Sequence, residues 1–204
     1  MQPLTVDDLA RATGGELVQR GEAGPIDGVS TDSRSLQPGD LFVPIIGTRF
    51  DGHRFIGDAA TKGAPAVLIA RSHLGQVPIP KDVAVVAVDN TVAALQALAA
   101  WDRAHFAGPV VAVTGSNGKT TTKDLIAAVL AHRHSVLATA GNLNTEIGMA
   151  LTLLRRTPEH EAIVVEMGMR GAGQIAALAE IARPSIGVVT NVGPVHVALL
   201  GSVE

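Results

Sequence analysis

The stretch that decides the fold of the second half of the chain is Val110-Val-Ala-Val-Thr-Gly-Ser-Asn-Gly-Lys-Thr-Thr-Thr122. An apolar run with the length of a buried strand leads into a glycine-containing turn. A helix follows whose predicted apolar face carries Leu125, Ile126, Val129 and Leu130. A strand, a turn of this kind and a helix N-terminus together present backbone N–H groups to a phosphate. The sequence therefore predicts a phosphate-binding loop here.

The residue types in this loop suit a nucleoside triphosphate and its metal ion. Glycines let backbone N–H groups approach phosphate oxygens without obstruction by a Cβ, while Lys119 can reach the β and γ phosphates and the Thr120 hydroxyl can bind Mg²⁺. The residues expected to bind ATP are Gly115, Ser116, Asn117, Gly118, Lys119, Thr120 and Thr121. Val113 stands where most such loops have their first glycine, so a strand–turn–helix with a chance Gly-Lys-Thr is the alternative.

Further polar segments follow other predicted strands of this half. Gly141-Asn-Leu-Asn-Thr-Glu146 follows a strand predicted at 135–138, Glu166 closes one at 162–167, and Asn191-Val-Gly-Pro-Val-His196 follows one at 186–190. Ligands of open α/β sheets bind beyond the carboxyl ends of the strands. If these strands are neighbours, Glu166 and His196 can complete magnesium coordination. The alternatives are an ordinary strand-end carboxylate and a solvated loop histidine.

The order of predicted elements indicates an α/β protein with two domains. In the first half, a helix capped by Thr5 precedes short strands. Beyond the proline-rich stretch 77–81, apolar runs alternate with helical segments, which is the pattern of a parallel sheet with crossover helices. We therefore predict a small α/β domain over 1–81 and part of a doubly wound, phosphate-loop ATPase-like domain over 82–204. A strand at 83–88 is expected to open the second domain.

Composition excludes several classes of protein. The chain has 204 residues, of which 47% are hydrophobic and 17% charged, so it can bury a core. With 2% aromatic residues and a net charge of −3, we expect neither nucleic acid nor a membrane as partner. The sequence has no cysteine, which excludes disulfides and thiolate sites. No signal peptide is evident, so we expect a cytoplasmic protein, and a monomer.

Three segments of the first half are polar or contain glycine and lie around predicted strands: Ser30-Thr-Asp-Ser-Arg34, Pro38-Gly-Asp-Leu-Phe-Val43 and Gly47-Thr-Arg-Phe-Asp-Gly-His53. Their residue types by themselves favour ordinary turns, in which Asp and Ser cap the backbone and Gly adopts positive φ. A second anion site built from Arg34, Arg49 and His53 is the alternative.

Taken together, these motifs resemble the Mur ligases, which add amino acids or peptides to UDP-N-acetylmuramoyl precursors of peptidoglycan. Gly115-Ser-Asn-Gly-Lys-Thr-Thr-Thr122 is similar to the family's ATP loop, and the segments of the first half are similar to its uridine-nucleotide domain. Gly141-Asn-Leu-Asn-Thr-Glu-Ile-Gly148 resembles the member that joins D-alanyl-D-alanine to UDP-N-acetylmuramoyl-tripeptide. The resemblance runs over essentially the whole chain.

The resemblance implies specific roles for these residues. Lys119, Glu166 and His196 become candidate catalytic residues, and Thr120, Glu166 and His196 candidate ligands of Mg²⁺. The residues that it implies for the UDP precursor are Ser33, Arg34, Arg49, His53, Asn142, Asn144 and Thr145. The implied reaction passes through an acyl phosphate that the amine of D-alanyl-D-alanine attacks.

Family members continue beyond a segment like Gly201-Ser-Val-Glu204 to a metal-bridging lysine and a third domain, so we expect the chain to be an amino-terminal part without activity of its own. Three rival functions stay open at this point. One is another ligase of the same fold, either the member that adds the third amino acid or a folylpolyglutamate synthase. The others are a phosphate-loop kinase or GTPase, and a module that binds a UDP-sugar without turnover.

Overall fold

The structure, a computed structural model, describes residues 1–22, 24–48 and 50–194, and it divides into two compact units, Met1–Trp101 and Asp102–Glu204. Both units are α/β, as the sequence predicts. Within the described residues, no helix combines the length and the apolar character that crossing a bilayer requires.

The first unit is built on a five-stranded sheet. Its elements are α1 (Val6–Thr13), β1 (Glu16–Gln19), β2 (Gly28–Ser30), β3 (Asp40–Phe42), α2 (Ile56–Thr61), β4 (Ala66–Ala70), β5 (Ala84–Val88) and α3 (Thr91–Ala104), with short 3-10 helices at Gly52–Phe55 and Arg71–His73. The strand order is β1-β5-β4-β3-β2, and only β1 runs antiparallel to its neighbour. The central strands β4 and β5 are buried along their whole length because both faces of the sheet are covered.

The first helix begins as the sequence predicts. The hydroxyl of Thr5 accepts the N–H of Asp8 while the carboxylate of Asp8 accepts the N–H of Thr5, which completes a capping box. Gly14 ends the helix with φ of 65°, a conformation that favours glycine.

The boundary between the units differs from the expected one at residue 81. Strand β5 pairs with β4 from Ala66↔Ala84 to Ala70↔Val88 and therefore belongs to the first sheet, not to the second domain. The first unit extends to Trp101. The proline-rich stretch is thus a connection between two neighbouring strands of one sheet. Local composition did not reveal this because strand pairing is decided by tertiary contacts.

The second unit holds a four-stranded parallel sheet in the order β7-β8-β6-β9. Its elements are β6 (Val110–Thr114), α4 (Lys119–Leu130), β7 (Val136–Ala138), α5 (Glu146–Leu153), β8 (Ala162–Glu166), α6 (Gln174–Ala182) and β9 (Ile186–Val189). Helix α4 covers one face of the sheet, and the residues that point to the other face, such as Ala112 and Val165, are buried as well. This confirms the doubly wound arrangement.

The buried face of helix α4 matches the predicted one only in part. Leu125 and Val129 are 63% and 75% exposed, so their assignment to the apolar face was wrong. Ile126, Ala127 and Leu130 do pack against the sheet, and Lys123, one turn before Ile126, is buried on the same face with 4% of its surface exposed. The long aliphatic stem of a lysine can occupy an apolar position when its ammonium group finds acceptors, and a hydrophobic pattern does not show this.

A buried ion pair joins two segments of the second unit: Asp102, in the last turn of α3 just beyond the unit boundary, and Arg156, which follows α5. Arg156 donates two hydrogen bonds to the carboxylate of Asp102, at 2.9 and 2.8 Å, and both residues are less than 5% exposed. The guanidinium of Arg156 also lies 5.6 Å from the ring centre of Phe106. Pairing of this quality is what allows two charges to be buried.

Candidate functional site

The predicted phosphate loop forms between β6 and α4. Gly115 and Gly118 have φ of 135° and 79°, and a residue with a Cβ would be strained in these conformations. A Cβ on Gly115 would also collide with the hydroxyl of Thr190 and crowd the backbone of Asn191. The loop therefore needs glycine at Gly115 for two separate reasons.

The segment after β9 holds the loop in place. Asn191 accepts the N–H of Ser116 with its carbonyl oxygen at 3.1 Å and the N–H of Asn117 with its Oδ1 at 2.8 Å. Sequence reasoning noticed the polar segment at 191–196 but assigned no role to Asn191. Its only signal was its position directly after the strand predicted at 186–190.

Lys119 begins α4 and folds back over the loop. Its Nζ donates to the carbonyl oxygen of Gly115 at 2.8 Å and lies 3.4 Å from that of Ser116. The ammonium group is therefore held at the mouth of the loop, where a bound phosphate would compete with these carbonyl oxygens for it.

Glu166 ends β8 at the centre of the site, with 2% of its surface exposed. One carboxylate oxygen accepts the hydroxyl of Thr120 and the other accepts the side-chain amide of Asn144, each at 2.7 Å. Residues from three strand ends thus meet on one buried carboxylate, as the sequence predicts for neighbouring strands. A carboxylate and a hydroxyl are the kind of hard oxygen donors that Mg²⁺ prefers, so these residues fit a magnesium ion.

Two cavities adjoin this cluster. One, of about 380 Å³, lies over the loop and is lined by Ser116, Asn117, Gly118, Lys119, Thr120, Thr121, Asn144 and Glu166. The other, of about 360 Å³, is lined by Lys119, Asn144, Thr145, Glu146, Gly168, Met169, Arg170, Gln174 and Leu178. Lys119 and Asn144 line both, so the two cavities meet at the loop lysine. Volumes of this size suit small-molecule groups.

The three residues predicted in the segment after β7, Asn142, Asn144 and Thr145, have different environments. Asn144 faces Glu166 and both cavities, while Thr145 caps α5 by accepting the N–H of Gly148 at 3.4 Å and lines the second cavity. Asn142 is exposed, and its carbonyl oxygen accepts the N–H of Asn144 at 2.8 Å. A side chain on Gly168 would press against the amide of Asn144, because a Cβ on Gly168 would lie 3.1 Å from the Cγ of Asn144.

In the first unit, the loop at 31–34 is anchored from α2. The Nζ of Lys62 donates to the carbonyl oxygens of Ser33 and Arg34 at 2.8 and 2.9 Å. The Arg34 side chain is 88% exposed and pairs with the carboxylate of Asp32, which lowers the pKa of Asp32 to about 2. Ser33 is 7% exposed. Arg34 is therefore the better placed of the two to meet a ligand.

His53 is 1% exposed and has a structural environment. Its Nε2 accepts the N–H of Ala70 at 3.0 Å, so its Nδ1 carries the proton and donates to Asp51 at 2.7 Å. Burial lowers the pKa of His53. Burial opposes ionisation of Asp51, yet hydrogen bonds from His53 and His73 outweigh it and lower the pKa of Asp51 to about 2. Both ring nitrogens of His53 are occupied, so its predicted contact with the precursor has no free donor or acceptor to use.

Among the residues that the structure describes, Asp51, His53 and His73 form a cluster whose side chains lie close enough together to suggest a metal site. A histidine that binds a metal donates its second ring N–H outward, whereas His53 accepts a backbone N–H at that nitrogen. The cluster is therefore a hydrogen-bonded support for the turn at 51–53. The predicted residues Arg49 and His196 lie outside the described residues.

The chain belongs to the Mur ligase family. Residues 113–204 match the Mur ligase middle domain, and residues 25–103 match the catalytic domain of the Mur ligase family. UDP-N-acetylmuramoyl-tripeptide–D-alanyl-D-alanine ligases are among its relatives. The one from Synechocystis is 51% identical over 87% of this chain, and that of Bacillus subtilis 45% identical over 98%. The alignments cover 38% and 43% of those two proteins, so the chain spans less than half their length.

Solved structures give the same relationship. Crystal structure I of MurF from Acinetobacter baumannii matches 100% of this chain and 44% of that one, with 32% identity and a TM-score of 0.88. The MurF ligase of Thermotoga maritima in complex with ADP matches 88% of this chain and 40% of that one, with 37% identity and a TM-score of 0.76.

Proposed function

We propose that these two units form the precursor-binding and ATP-binding parts of a ligase that joins D-alanyl-D-alanine to UDP-N-acetylmuramoyl-tripeptide. The observation that carries the proposal is the buried carboxylate of Glu166, which gathers Thr120 of the phosphate loop and Asn144 between two cavities that share Lys119. The names of the relatives supply the substrates. The reaction would belong to cytoplasmic peptidoglycan precursor synthesis, and we expect a monomer.

In this proposal, the loop N–H groups and Lys119 bind the phosphates of ATP. Thr120 and Glu166 would hold Mg²⁺, which supplies charge neutralisation at the phosphates when it is bound. His196 keeps its proposed part as a third ligand. The chain performs no covalent step itself, so its contribution is positioning and electrostatic stabilisation.

The second cavity is the proposed site of the reacting end of the precursor. Asn144 and Thr145 line it, so the carboxylate of the tripeptide would approach the γ phosphate from this side. That carboxylate takes the phosphoryl group and ADP leaves. The amine of D-alanyl-D-alanine then attacks the acyl carbon, and phosphate leaves with the electron pair of the broken C–O bond.

In the first unit, the proposed contacts to the uridine diphosphate come from Ser33, Arg34 and Arg49. The high exposure of the Arg34 guanidinium supports its part in this contact. His53 is proposed only as a support for the neighbouring turn, because its ring nitrogens are already engaged.

A substrate panel tests the proposal in the protein at the full length of its relatives. Phosphate release should require ATP, UDP-N-acetylmuramoyl-tripeptide and D-alanyl-D-alanine together. Release with a single amino acid and a shorter precursor would instead indicate the ligase that adds the third residue, and release with a folate would indicate a folylpolyglutamate synthase.

A variant of the loop lysine tests the phosphate-loop assignment. Lys119→Ala should abolish the reaction and leave the fold intact, since the Nζ of Lys119 contacts the carbonyl oxygens of Gly115 and Ser116 in the loop and is not part of the core. Unchanged turnover in this variant would contradict the phosphate-loop assignment.

A further inference from the structure

The second unit contains a buried lysine that the proposed reaction does not use. Lys123 follows Thr120 by one turn of α4 and is 4% exposed. Its Nζ donates to the carbonyl oxygen of Thr139 at 2.8 Å and lies 2.5 Å from the carboxylate of Asp124. Burying an ammonium group costs folding free energy, and an apolar residue of similar length would usually serve packing as well or better. The charge therefore indicates a demand that helix–sheet packing does not explain.

The acceptor of Lys123 is itself fixed on every side. Thr139 follows β7 and is 1% exposed. Its N–H donates to the carbonyl oxygen of Val164, its own carbonyl oxygen accepts from Lys123, and its hydroxyl accepts the N–H of Glu166 at 3.0 Å. Thr139 thus links α4, which carries the phosphate loop's threonine, to the last residue of β8.

This link acts on the residue at the centre of the site. The Glu166 backbone is held by Thr139, while its carboxylate reaches both Thr120 and Asn144 at 2.7 Å. A buried carboxylate that must meet a hydroxyl from another element needs a fixed backbone, because small shifts lengthen both hydrogen bonds. The groups that orient a metal ligand commonly control affinity for the metal.

We propose that Lys123 and Thr139 are positioning residues that set the Mg²⁺ affinity of the ATP site by fixing Glu166 relative to Thr120. This inference rests on the proposed function, in which Glu166 and Thr120 hold the metal. The competing explanation is that the two residues only join α4 to the sheet. It predicts lost stability without a change in the response to Mg²⁺.

Paired variants separate the two explanations. Thr139→Val removes the hydroxyl that accepts the Glu166 N–H at nearly constant shape, whereas Thr139→Ser keeps it. Lys123→Met removes the charge and keeps the length of the side chain. Thr152→Val is the matched control, because Thr152 is also 1% exposed and its hydroxyl bonds a backbone carbonyl within α5.

Two quantities are measured in the protein at the full length of its relatives. The first is the affinity for ADP by calorimetry, in Mg²⁺ and in EDTA, and the second is the Mg²⁺ concentration that gives half-maximal phosphate release. Thermal melting is recorded for every variant. We expect Thr139→Val and Lys123→Met to raise the half-maximal Mg²⁺ concentration by about 10- to 100-fold and to reduce the gain in ADP affinity that Mg²⁺ gives. Thr139→Ser and Thr152→Val should keep the wild-type values of both.

The inference is overturned if Thr139→Val and Lys123→Met melt earlier but respond to Mg²⁺ as the wild type does. If Thr139→Val does not fold, Lys123→Met decides by the same two measurements. Glu166→Gln distinguishes this failure from failure of the proposed function. If Glu166→Gln keeps the wild-type Mg²⁺ response, the metal site itself is rejected. If Glu166→Gln loses that response while the Thr139 and Lys123 variants keep it, only the positioning role is rejected.

Discussion

Replacement of Glu166 by glutamine separates the chemistry of the site from the stability of the fold. The side chain is 2% exposed, and its two oxygens accept from Thr120 and Asn144 at 2.7 Å. Glutamine keeps the shape and one acceptor oxygen, but it turns an NH₂ group toward one of the two donors. The change therefore removes one charge-assisted hydrogen bond, the negative charge and the proposed carboxylate ligand of Mg²⁺, and it leaves packing intact.

The expected effect on stability is small because two contributions oppose each other. A hydrogen bond to a charged group contributes about 1.5–3 kcal/mol, and its loss is offset by relief of a buried charge that costs several kcal/mol to desolvate. We expect the free energy of unfolding to change by only about 1 kcal/mol in either direction. Catalysis has no such offset. Removing one preorganised electrostatic group at a reacting centre lowers kcat by about 10²–10³-fold, or about 3–4 kcal/mol.

Phosphate release at saturating ATP, precursor and dipeptide measures kcat, and urea unfolding measures the free energy of unfolding. A Mg²⁺ titration should show that the metal no longer restores the rate. The reasoning is refuted if Glu166→Gln keeps its Mg²⁺-dependent rate near that of the wild type. It is also refuted if the variant loses rate only in proportion to its loss of folded protein.

Three further results are expected. Arg34→Ala should weaken calorimetric binding of the UDP precursor without changing ATP affinity, whereas the matched exposed and carboxylate-paired Arg20→Ala should bind both normally; equal titrations for both variants would remove Arg34 from the site. Asp102→Ala should lower the free energy of urea unfolding by about 3–5 kcal/mol because it leaves a buried guanidinium unpaired, and Asp102→Leu with Arg156→Met should recover most of it; additive losses would contradict this. Burial lowers the pKa of His53 below its ordinary 6.5, so the unfolded chain binds the extra proton and stability should fall as pH drops from about 7 to about 5. His53→Gln should make that decline shallower, and an unchanged slope would show that His53 is not responsible.

The strand, turn and helix of the proposed phosphate loop could be predicted from the sequence because each depends only on neighbouring residues. A buried strand, glycines that permit positive φ, and an amphipathic helix all lie between Val110 and Leu130. The sequence also predicted that the residues at the strand ends lie together, since parallel strands bring their carboxyl ends to one edge of the sheet. That rule correctly anticipated that Glu166 would lie beside the loop.

Some features had no local signal. His53 stands in a polar, glycine-containing motif, yet it is buried with both ring nitrogens engaged. Its pairing with the N–H of Ala70 joins residues that are 17 positions apart in the chain. Asn191 acts through hydrogen bonds to the loop after β6, and Thr139 through one to β8, so their own neighbours in sequence do not indicate their partners.

The sequence by itself determined the α/β class, the doubly wound second unit and the position of the glycine-containing turn between β6 and α4, because periodicity, turn chemistry and helix starts are properties of neighbouring residues. Tertiary structure alone decided that β5 joins the first sheet, that α4 buries Lys123 in place of Leu125, and that Glu166 binds Thr120 and Asn144 at once. These outcomes depend on which strands pair and which helix face meets the sheet. Such contacts join residues far apart in the chain, and their energies are set by packing and burial that no local pattern records.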